Sequence, residues 1–194
     1  DFLFWSALSS HIHGEGEYVN IQYGYSLIDS INTTAKKIAG GLQVTGELSG
    51  IYDHFKNVDY FIAGESETVL IELINNIINE GDIKDVKGII YKDKNGKVLM
   101  NNRQNIIEDL NVIPPYDYSV FDDQVFLRPY NGRVVRAVDY ELSRGCIYAC
   151  EYCVETVIQS YYGFDEVVPG SGTIRNSNKY LRHKTADRIF FEMS

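Results

Sequence analysis

The sequence contains few cysteines, few prolines and a deficit of positive charge. Its 194 residues include three cysteines, four prolines and one tryptophan, and 27 acidic residues outnumber 18 Lys and Arg residues, for a net charge of −9. Three cysteines cannot all pair as disulfides, and no secretory or membrane-spanning stretch is found, so we expect a reducing compartment, the cytoplasm. A nucleic-acid-binding surface would be basic, and a membrane surface would attract a polybasic run. We therefore expect neither partner.

All three cysteines lie within eight residues, at Cys146, Cys150 and Cys153. A structural zinc ion needs four ligands, commonly from two separated pairs, and the sequence has no second cysteine pair. His183 could complete such a site, but nothing in the sequence brings it there. Iron–sulfur clusters are usually held by four thiolates. Three closely spaced thiolates would leave one iron open to a substrate or cofactor, which indicates a reactive site.

The C-x3-C-x2-C spacing, with Tyr152 directly before the last cysteine and Glu-Leu-Ser-Arg-Gly at 141–145, resembles the radical SAM superfamily. The resemblance implies that Cys146, Cys150 and Cys153 bind a 4Fe–4S cluster whose open iron chelates S-adenosylmethionine. Reductive cleavage would then yield a 5′-deoxyadenosyl radical, which abstracts hydrogen from a substrate. The resemblance also implies that Tyr152 lies near the adenine and that an electron donor such as flavodoxin or ferredoxin is a partner. The alternative is a structural metal knuckle or three incidental thiols.

The sequence before the cysteines shows alternating strand and helix patterns, which predict an α/β fold with a doubly wound parallel sheet. The predicted strands are Phe2–Leu8, buried on both faces, then Ile38–Gly41 and Val58–Ala63. The predicted helices are Ile21–Lys37, Gly46–Phe55 and Ser66–Asn79. The later predicted elements are a hairpin at Gly88–Asn101, a strand at Val135–Ser143 and a helix at Ala186–Met193 capped by Thr185. We interpret Arg182, His183 and Lys184 as a solvated helix entry in preference to a carboxylate-binding patch.

The upstream pattern also resembles the cobalamin-binding domain that precedes many radical SAM enzymes. The resemblance is carried by a strand ending in Ser6-Ala7-Leu8, by Gly40-Gly41, and by Gly64-Glu65-Ser66-Glu67. It implies that Ser6, Leu8, Gly40 and Gly41 flank the nucleotide tail of cobalamin. The Asp-x-His-x-x-Gly signature of many such domains is absent. Either it lies further upstream, or cobalamin binds without a histidine ligand; a cobalamin-type fold that has lost its ligand is the alternative.

The domain organisation that we predict is a partial Rossmann-like, cobalamin-binding-type domain at 1–109, a linker at 110–134 and the start of a radical SAM (β/α) barrel at 135–194. Residues 154–194 are all that follow the last cysteine, whereas a complete barrel needs about 200 residues or more. We therefore expect a fragment that is inactive on its own, with a true N-terminus further upstream.

The predicted function is that of a cobalamin-associated radical SAM enzyme, with C-methylation as the favoured reaction. One alternative is a radical SAM enzyme without cobalamin that performs ring-forming or rearranging chemistry. Another is a non-enzymatic iron–sulfur or zinc-binding module. The sequence identifies no catalytic side chain, and it leaves open whether the substrate is a small molecule or a peptide.

Overall fold

The computed structural model describes residues 1–6 and 26–193. Five strands form one sheet in chain order. They are β1 (Phe2–Ser6), β2 (Lys36–Gly40), β3 (Tyr60–Ile62), β4 (Ile89–Lys92) and β5 (Val98–Met100). β1, β2 and β3 are parallel, whereas β4 and β5 each run antiparallel to the preceding strand. The predicted α/β class is confirmed, with a mixed sheet in place of a wholly parallel one.

Between β2 and β4 the chain forms the helices α1 (Leu42–Gly46), α2 (Ile51–His54) and α3 (Ser66–Ile78). α3 confirms the helix predicted over Ser66–Asn79. Its apolar residues recur at helical spacing, so that Val69 and Leu73 are buried. The predicted helix at 46–55 is instead α1 and α2, separated by a turn that ends at Gly50.

The core lies on both faces of the sheet, because successive side chains of a strand point to opposite sides. Ala39 and Phe61 pack in one cluster with Phe55, which follows α2. Ile38 packs in the second cluster, with Leu73 of α3. Helices thus cover the central strands on both faces of the sheet, as in Rossmann-like domains.

Two predictions near the N-terminus differ from the structure. Strand β1 is confirmed as far as Ser6, but it lies at an edge of the described sheet and Phe4 is 38% exposed, so burial on both faces was wrong. The helix predicted at 21–37 falls partly outside the described residues, and helical structure ends at Ser30. Lys36 is already paired with Phe2 of β1, because sheet pairing overrides the helical spacing there.

The region predicted as an irregular linker contains a hairpin, β6 (Leu127–Tyr130) and β7 (Arg133–Arg136). Asn131 and Gly132 form its turn with φ values of 47° and 72°, as two-residue hairpin turns require. The strand predicted at Val135–Ser143 is correspondingly wrong, because β7 pairs within this hairpin and ends at Arg136. The predicted domain boundaries stay a prediction.

The C-terminal part contains α4 (Val154–Tyr162), α5 (Ser177–Tyr180), α6 (Ala186–Met193) and a short antiparallel pair, β8 (Ser143–Arg144) and β9 (Arg182–His183). The predicted cap of α6 is confirmed, since the Arg188 amide donates to Thr185 Oγ1 at 3.3 Å. No helix in the described ranges combines the length and the apolar character that a membrane crossing requires.

Candidate functional site

A cleft of about 530 Å³ opens where β1, β2 and β3 end. Ser6 is the last residue of β1, Gly41 and Gly64 come after β2 and β3, and all three line the cleft. The C-terminal part of the chain contributes Arg144 and Tyr162 to the lining. Ligands of open α/β sheets bind outside the carboxyl ends of the strands. The cleft is therefore the candidate functional site.

Two of the four residues predicted to contact cobalamin line this cleft, Ser6 and Gly41. Gly41 has a φ of 100°, which favours glycine. Gly40 lies beside it, and a Cβ added there would come within 2.5 Å of Ser66 Oγ. Leu8 lies outside the described residues. The roles of all four in binding a cofactor stay predictions.

The cleft has a mostly apolar lining with a charged wall. The apolar side chains are contributed by both parts of the chain: Phe4, Leu42, Leu70 and Ile158. The charged wall belongs to an ionic network, which we call the Glu65 network. Its members are Glu65, Glu67, Glu141 and Arg144, which line the cleft, and Arg182, which lies behind them in the ion pairs.

Arg144 is the centre of the Glu65 network. It binds Glu141 with two parallel hydrogen bonds, from Nε to Oε1 at 2.9 Å and from Nη2 to Oε2 at 2.8 Å. The Nη2 group also donates to Glu67, and Nη1 donates to Glu65 Oε1 at 3.3 Å. Such forked contacts with carboxylates are the strongest hydrogen bonds that arginine makes. One guanidinium thus joins the segment before the cysteines to the N-terminus of α3.

Arg182 lies directly opposite Arg144 in the β8–β9 pair, and its side chain is 7% exposed. Its Nη1 group donates to both oxygens of Glu65, at 2.8 and 3.0 Å, and to the Ile107 carbonyl at 2.7 Å. The solvated interpretation of this residue was therefore wrong. A buried guanidinium needs a carboxylate partner, and Glu65 supplies it from 117 residues away.

Lys184 corrects the same prediction, because its side chain is 2% exposed. Its ammonium donates to Glu192 Oε2 at 2.7 Å and lies over the rings of Tyr116 and Tyr140. His183, between the two buried cations, is exposed. Alternation along β9 therefore buries Arg182 and exposes His183, as the two-residue period of a strand dictates.

The hydrogen bonds of the Glu65 network determine the protonation states of Arg144 and Glu141. Burial alone would lower the pKa of the Arg144 guanidinium, but its hydrogen bonds to Glu141 and Glu67 raise that pKa above its ordinary value. Burial would raise the pKa of Glu141, and the same hydrogen bonds from Arg144 lower it overall. Both groups are therefore charged at neutral pH.

Glu67 leaves one acceptor unused at the cleft. Its Oε2 atom is buried and has no hydrogen-bond partner among residues 1–6 and 26–193. Buried carboxylate oxygens normally accept a hydrogen bond. The charged wall can therefore accept a hydrogen bond from a ligand that brings an N–H or O–H donor to Glu67.

The three cysteines lie in the loop between β8 and α4, and Cys153 is the residue directly before α4. All three are free thiols of intermediate burial. Gly145 begins the loop with a φ of 92°, and a Cβ added there would strike the carbonyl oxygen of Tyr180. The buried Gln159 amide of α4 donates to the carbonyls of Cys146 and Tyr148, at 2.9 and 3.0 Å.

The thiols share this loop without converging on one point. In the part of the chain that the structure describes, no three His, Cys, Asp or Glu side chains are close enough together to hold a metal ion. Metal ligation itself supplies the free energy that gathers thiolates in many small sites. The assignment of Cys146, Cys150 and Cys153 as cluster ligands stays a prediction.

Tyr152 lies on the surface of the loop, with 93% of its area exposed. Charge on the neighbouring Cys150 and a hydrogen bond to that residue raise the pKa of the Tyr152 phenol. The ring does not line the cleft. Its predicted proximity to an adenine is not tested by this arrangement.

The sequence did not reveal the pairing of Glu65 with Arg144 and Arg182. All three residues stood inside patterns that resemble the two families, as Gly64-Glu65-Ser66-Glu67, Ser143-Arg144-Gly145 and the approach to α6. Contacts between residues about 80 or more positions apart leave no local periodicity, so only the fold brings them together.

No family model matches the chain. It is 29% identical over 119 residues to the anaerobic magnesium-protoporphyrin IX monomethyl ester cyclase of Synechocystis, covering 60% of this chain and 22% of the cyclase. It is 27% identical over 124 residues to an uncharacterized methyltransferase of Pyrococcus horikoshii, covering 64% of this chain and 26% of that protein. The chain thus spans about a quarter or less of these relatives.

The fold of the chain also matches parts of known solved structures. The cobalamin-dependent S-adenosylmethionine radical enzyme OxsB with bound aqua-cobalamin matches with a TM-score of 0.58 and 16% identity, over 100% of this chain and 23% of OxsB. The radical S-adenosylmethionine methyltransferase TsrM of Kitasatospora setae, with cobalamin and a [4Fe-4S] cluster, matches with a TM-score of 0.50 and 18% identity, over 91% of this chain and 31% of TsrM.

These matches confirm the resemblance stated from the sequence. The fold is similar to that of two solved radical SAM enzymes, OxsB and TsrM, both with cobalamin bound. TsrM and the relative from Pyrococcus horikoshii are both named as methyltransferases.

Proposed function

We propose that the protein is part of a cobalamin-associated radical SAM enzyme that cleaves S-adenosylmethionine and methylates a carbon atom of its substrate. The observation that carries this proposal is the position of the cleft. It lies at the ends of three parallel strands, and Arg144 forms its wall two residues before the first cysteine. A ligand in the cleft and a metal on the cysteine loop would therefore be neighbours.

The residues of the cleft fit a corrinoid. Gly41 has no side chain to keep the nucleotide tail of a cobalamin away from the backbone. The unpaired Glu67 oxygen suits an amide N–H, and cobalamin carries amide groups around its ring. Ser6 offers a hydroxyl at the end of β1, and Phe4 and Leu70 offer apolar surface.

The donor set of the loop fits an open cluster. Cys146, Cys150 and Cys153 offer three thiolates from one short loop, which suits a 4Fe–4S cluster that keeps one iron open. When bound, such a cluster with S-adenosylmethionine would supply a 5′-deoxyadenosyl radical, and cobalamin would supply a methyl group. Gln159 orients the loop backbone, and Arg144 holds the segment before it.

A second function is favoured by a specific finding. Relatives of this chain include cyclases as well as methyltransferases. Ring-forming radical chemistry is therefore the alternative on the same scaffold, and that such chemistry proceeds without cobalamin stays a prediction. Under either proposal, a flavodoxin or ferredoxin reduces the cluster, the substrate is a small molecule or a peptide, and the enzyme acts in the cytoplasm.

The experiment that tests the proposal uses the full-length protein, reconstituted with iron and sulfide without oxygen. We expect a reduced 4Fe–4S EPR signal that shifts when S-adenosylmethionine is added, and a cobalamin absorbance that survives gel filtration. Cys153→Ala should lose the signal and all 5′-deoxyadenosine formation, whereas the control Ser160→Ala on exposed α4 surface should retain both. A cluster that does not respond to S-adenosylmethionine would contradict the enzyme assignment, and loss of cobalamin alone would favour the ring-forming alternative.

A further inference from the structure

We infer that Glu65 is a positioning residue, which fixes the strand that carries the cysteine loop onto the rim of the cleft. It would thereby set the separation between a ligand in the cleft and a cluster on the loop. This inference rests on the proposed function, and it concerns a side chain that acts on the cysteine loop through Arg144 and Arg182.

The first step of the argument is the pairing of two cations. Arg144 and Arg182 are direct partners in the β8–β9 pair. Like charges directly opposite each other destabilise a pair of strands. Glu65 Oε1 accepts from Nη1 of both arginines, at 3.3 and 2.8 Å. The carboxylate of Glu65 therefore offsets the repulsion between the two guanidinium groups, which lie side by side where little water reaches them.

The second step is that Glu65 is itself held in place. Its side chain is 10% exposed, and Oε2 accepts a hydrogen bond from the Ile107 amide at 2.7 Å. Its own amide donates to the Tyr162 hydroxyl at 2.8 Å. A carboxylate fixed by several partners can orient the groups that bind it.

The third step is the short path from Glu65 to both sides of the site. Glu65 directly follows Gly64 beyond the end of β3 and lines the cleft. Arg144 is separated from Cys146 by Gly145 alone, whose backbone lies against Tyr180 with no room for a side chain. A shift of Arg144 would therefore move the thiol of Cys146, because Gly145 has little freedom to compensate for it.

The test compares Glu65→Gln with the matched control Glu166→Gln in the full-length reconstituted protein. Both changes remove one charge and keep the side-chain size. Glu166 binds Arg175 at 2.9 Å on the surface, where its side chain is 67% exposed. Iron and cobalamin contents, the magnetic coupling between Co(II) and the reduced cluster, and hydrogen exchange of amides 144–153 are measured for each.

We expect Glu65→Gln to retain both cofactors, to change the Co(II)–cluster coupling, and to exchange the amides of 144–153 roughly tenfold faster through local opening. The control should match the wild type in all three measurements. Unchanged coupling and unchanged exchange in Glu65→Gln would overturn the inference while leaving the proposed function intact.

The experiment distinguishes a failure of the proposed function from a failure of the inference about Glu65. If the wild type binds no cobalamin, the proposed function fails in that respect, and the exchange of amides 144–153 still decides the role of Glu65. If Glu65→Gln does not fold, Arg144→Lys replaces it, because lysine keeps the charge but cannot reach Glu65, Glu67 and Glu141 together. Wild-type exchange and coupling in Arg144→Lys would overturn the inference equally.

Discussion

Gly145 is a point of close approach between the cysteine loop and Tyr180. Its φ is 92°, and an added Cβ would strike the Tyr180 carbonyl oxygen. We expect Gly145→Ala to lower the free energy of unfolding by at least about 2 kcal/mol, from backbone strain and the clash together. Chemical denaturation followed by circular dichroism measures this change.

Gly132 provides the matched control for that substitution. Its φ is 72°, and no atom lies within 4 Å of an added Cβ. Gly132→Ala should therefore show the conformational cost alone, about 1 kcal/mol. Equal losses in the two variants would mean that the contact with Tyr180 contributes nothing.

Glu192 gives a pH dependence with a defined sign. Burial would raise its pKa, but hydrogen bonds from Lys184, Tyr140 and Arg188 lower the pKa from 4.5 to about 2. Its ionised form thus stabilises the fold fully above the unfolded-state value, and that contribution is lost as the pH falls from 4.5 to about 2. We expect the unfolding free energy of Glu192→Gln to fall less steeply over this range than that of the wild type, in urea titrations.

The control for this experiment is Glu72→Gln, which changes an exposed carboxylate of α3. Its pH dependence should follow the wild type, because the other carboxylates titrate equally in both proteins. A wild-type slope in Glu192→Gln would show that the buried pair with Lys184 does not govern acid stability.

At the scale of elements, the packing of α3 against the sheet depends on one row of buried apolar side chains. Leu73 is fully buried, whereas Ile71 on the same helix is 59% exposed. Leu73→Ala should lower the unfolding free energy by about 2–5 kcal/mol, through lost burial and the cavity left behind. Ile71→Ala should change it by no more than about 0.5 kcal/mol. Thermal unfolding of the two variants makes the comparison, and similar midpoints would argue against this packing.

The elements that could be predicted from sequence are those with a local signal. The apolar spacing of Val69 and Leu73 predicted α3, and Asn95-Gly96 predicted the β4–β5 hairpin. The same Asn-Gly signal at Asn131-Gly132 was overlooked because prolines and aromatic residues around it suggested a linker. The end of the helix predicted at 21–37 was misplaced, since only pairing with β1 shows that Lys36 begins a strand.

The candidate site was predicted less completely than the fold. The cysteine motif was found because its signal lies within eight residues. The burial of Arg182 could not be found, because a basic residue before a helix is usually solvated and its partner Glu65 is remote in sequence. Long-range charge pairing is invisible to any pattern read along the chain.

At the scale of the molecule, the sheet and the C-terminal part are joined by several hydrogen bonds and an ion pair. Arg103 donates to the Tyr161 carbonyl at 2.6 Å, Tyr161 donates to the Ala63 carbonyl at 3.1 Å, and Arg182 binds Glu65. We therefore expect one cooperative unfolding transition, with coincident curves for far-ultraviolet circular dichroism and tyrosine absorbance. Two separated transitions would show that the parts fold independently.

Gln159 has a consequence for the order in which the holoprotein forms. Its buried amide already satisfies the carbonyls of Cys146 and Tyr148 from α4. The first part of the cysteine loop is thus ordered by packing of the polypeptide, and the entropy of ordering it is lost during folding. Iron and sulfide would then bind to a chain that has already folded. Cluster assembly would therefore be a late step, which follows the ordering of the loop backbone.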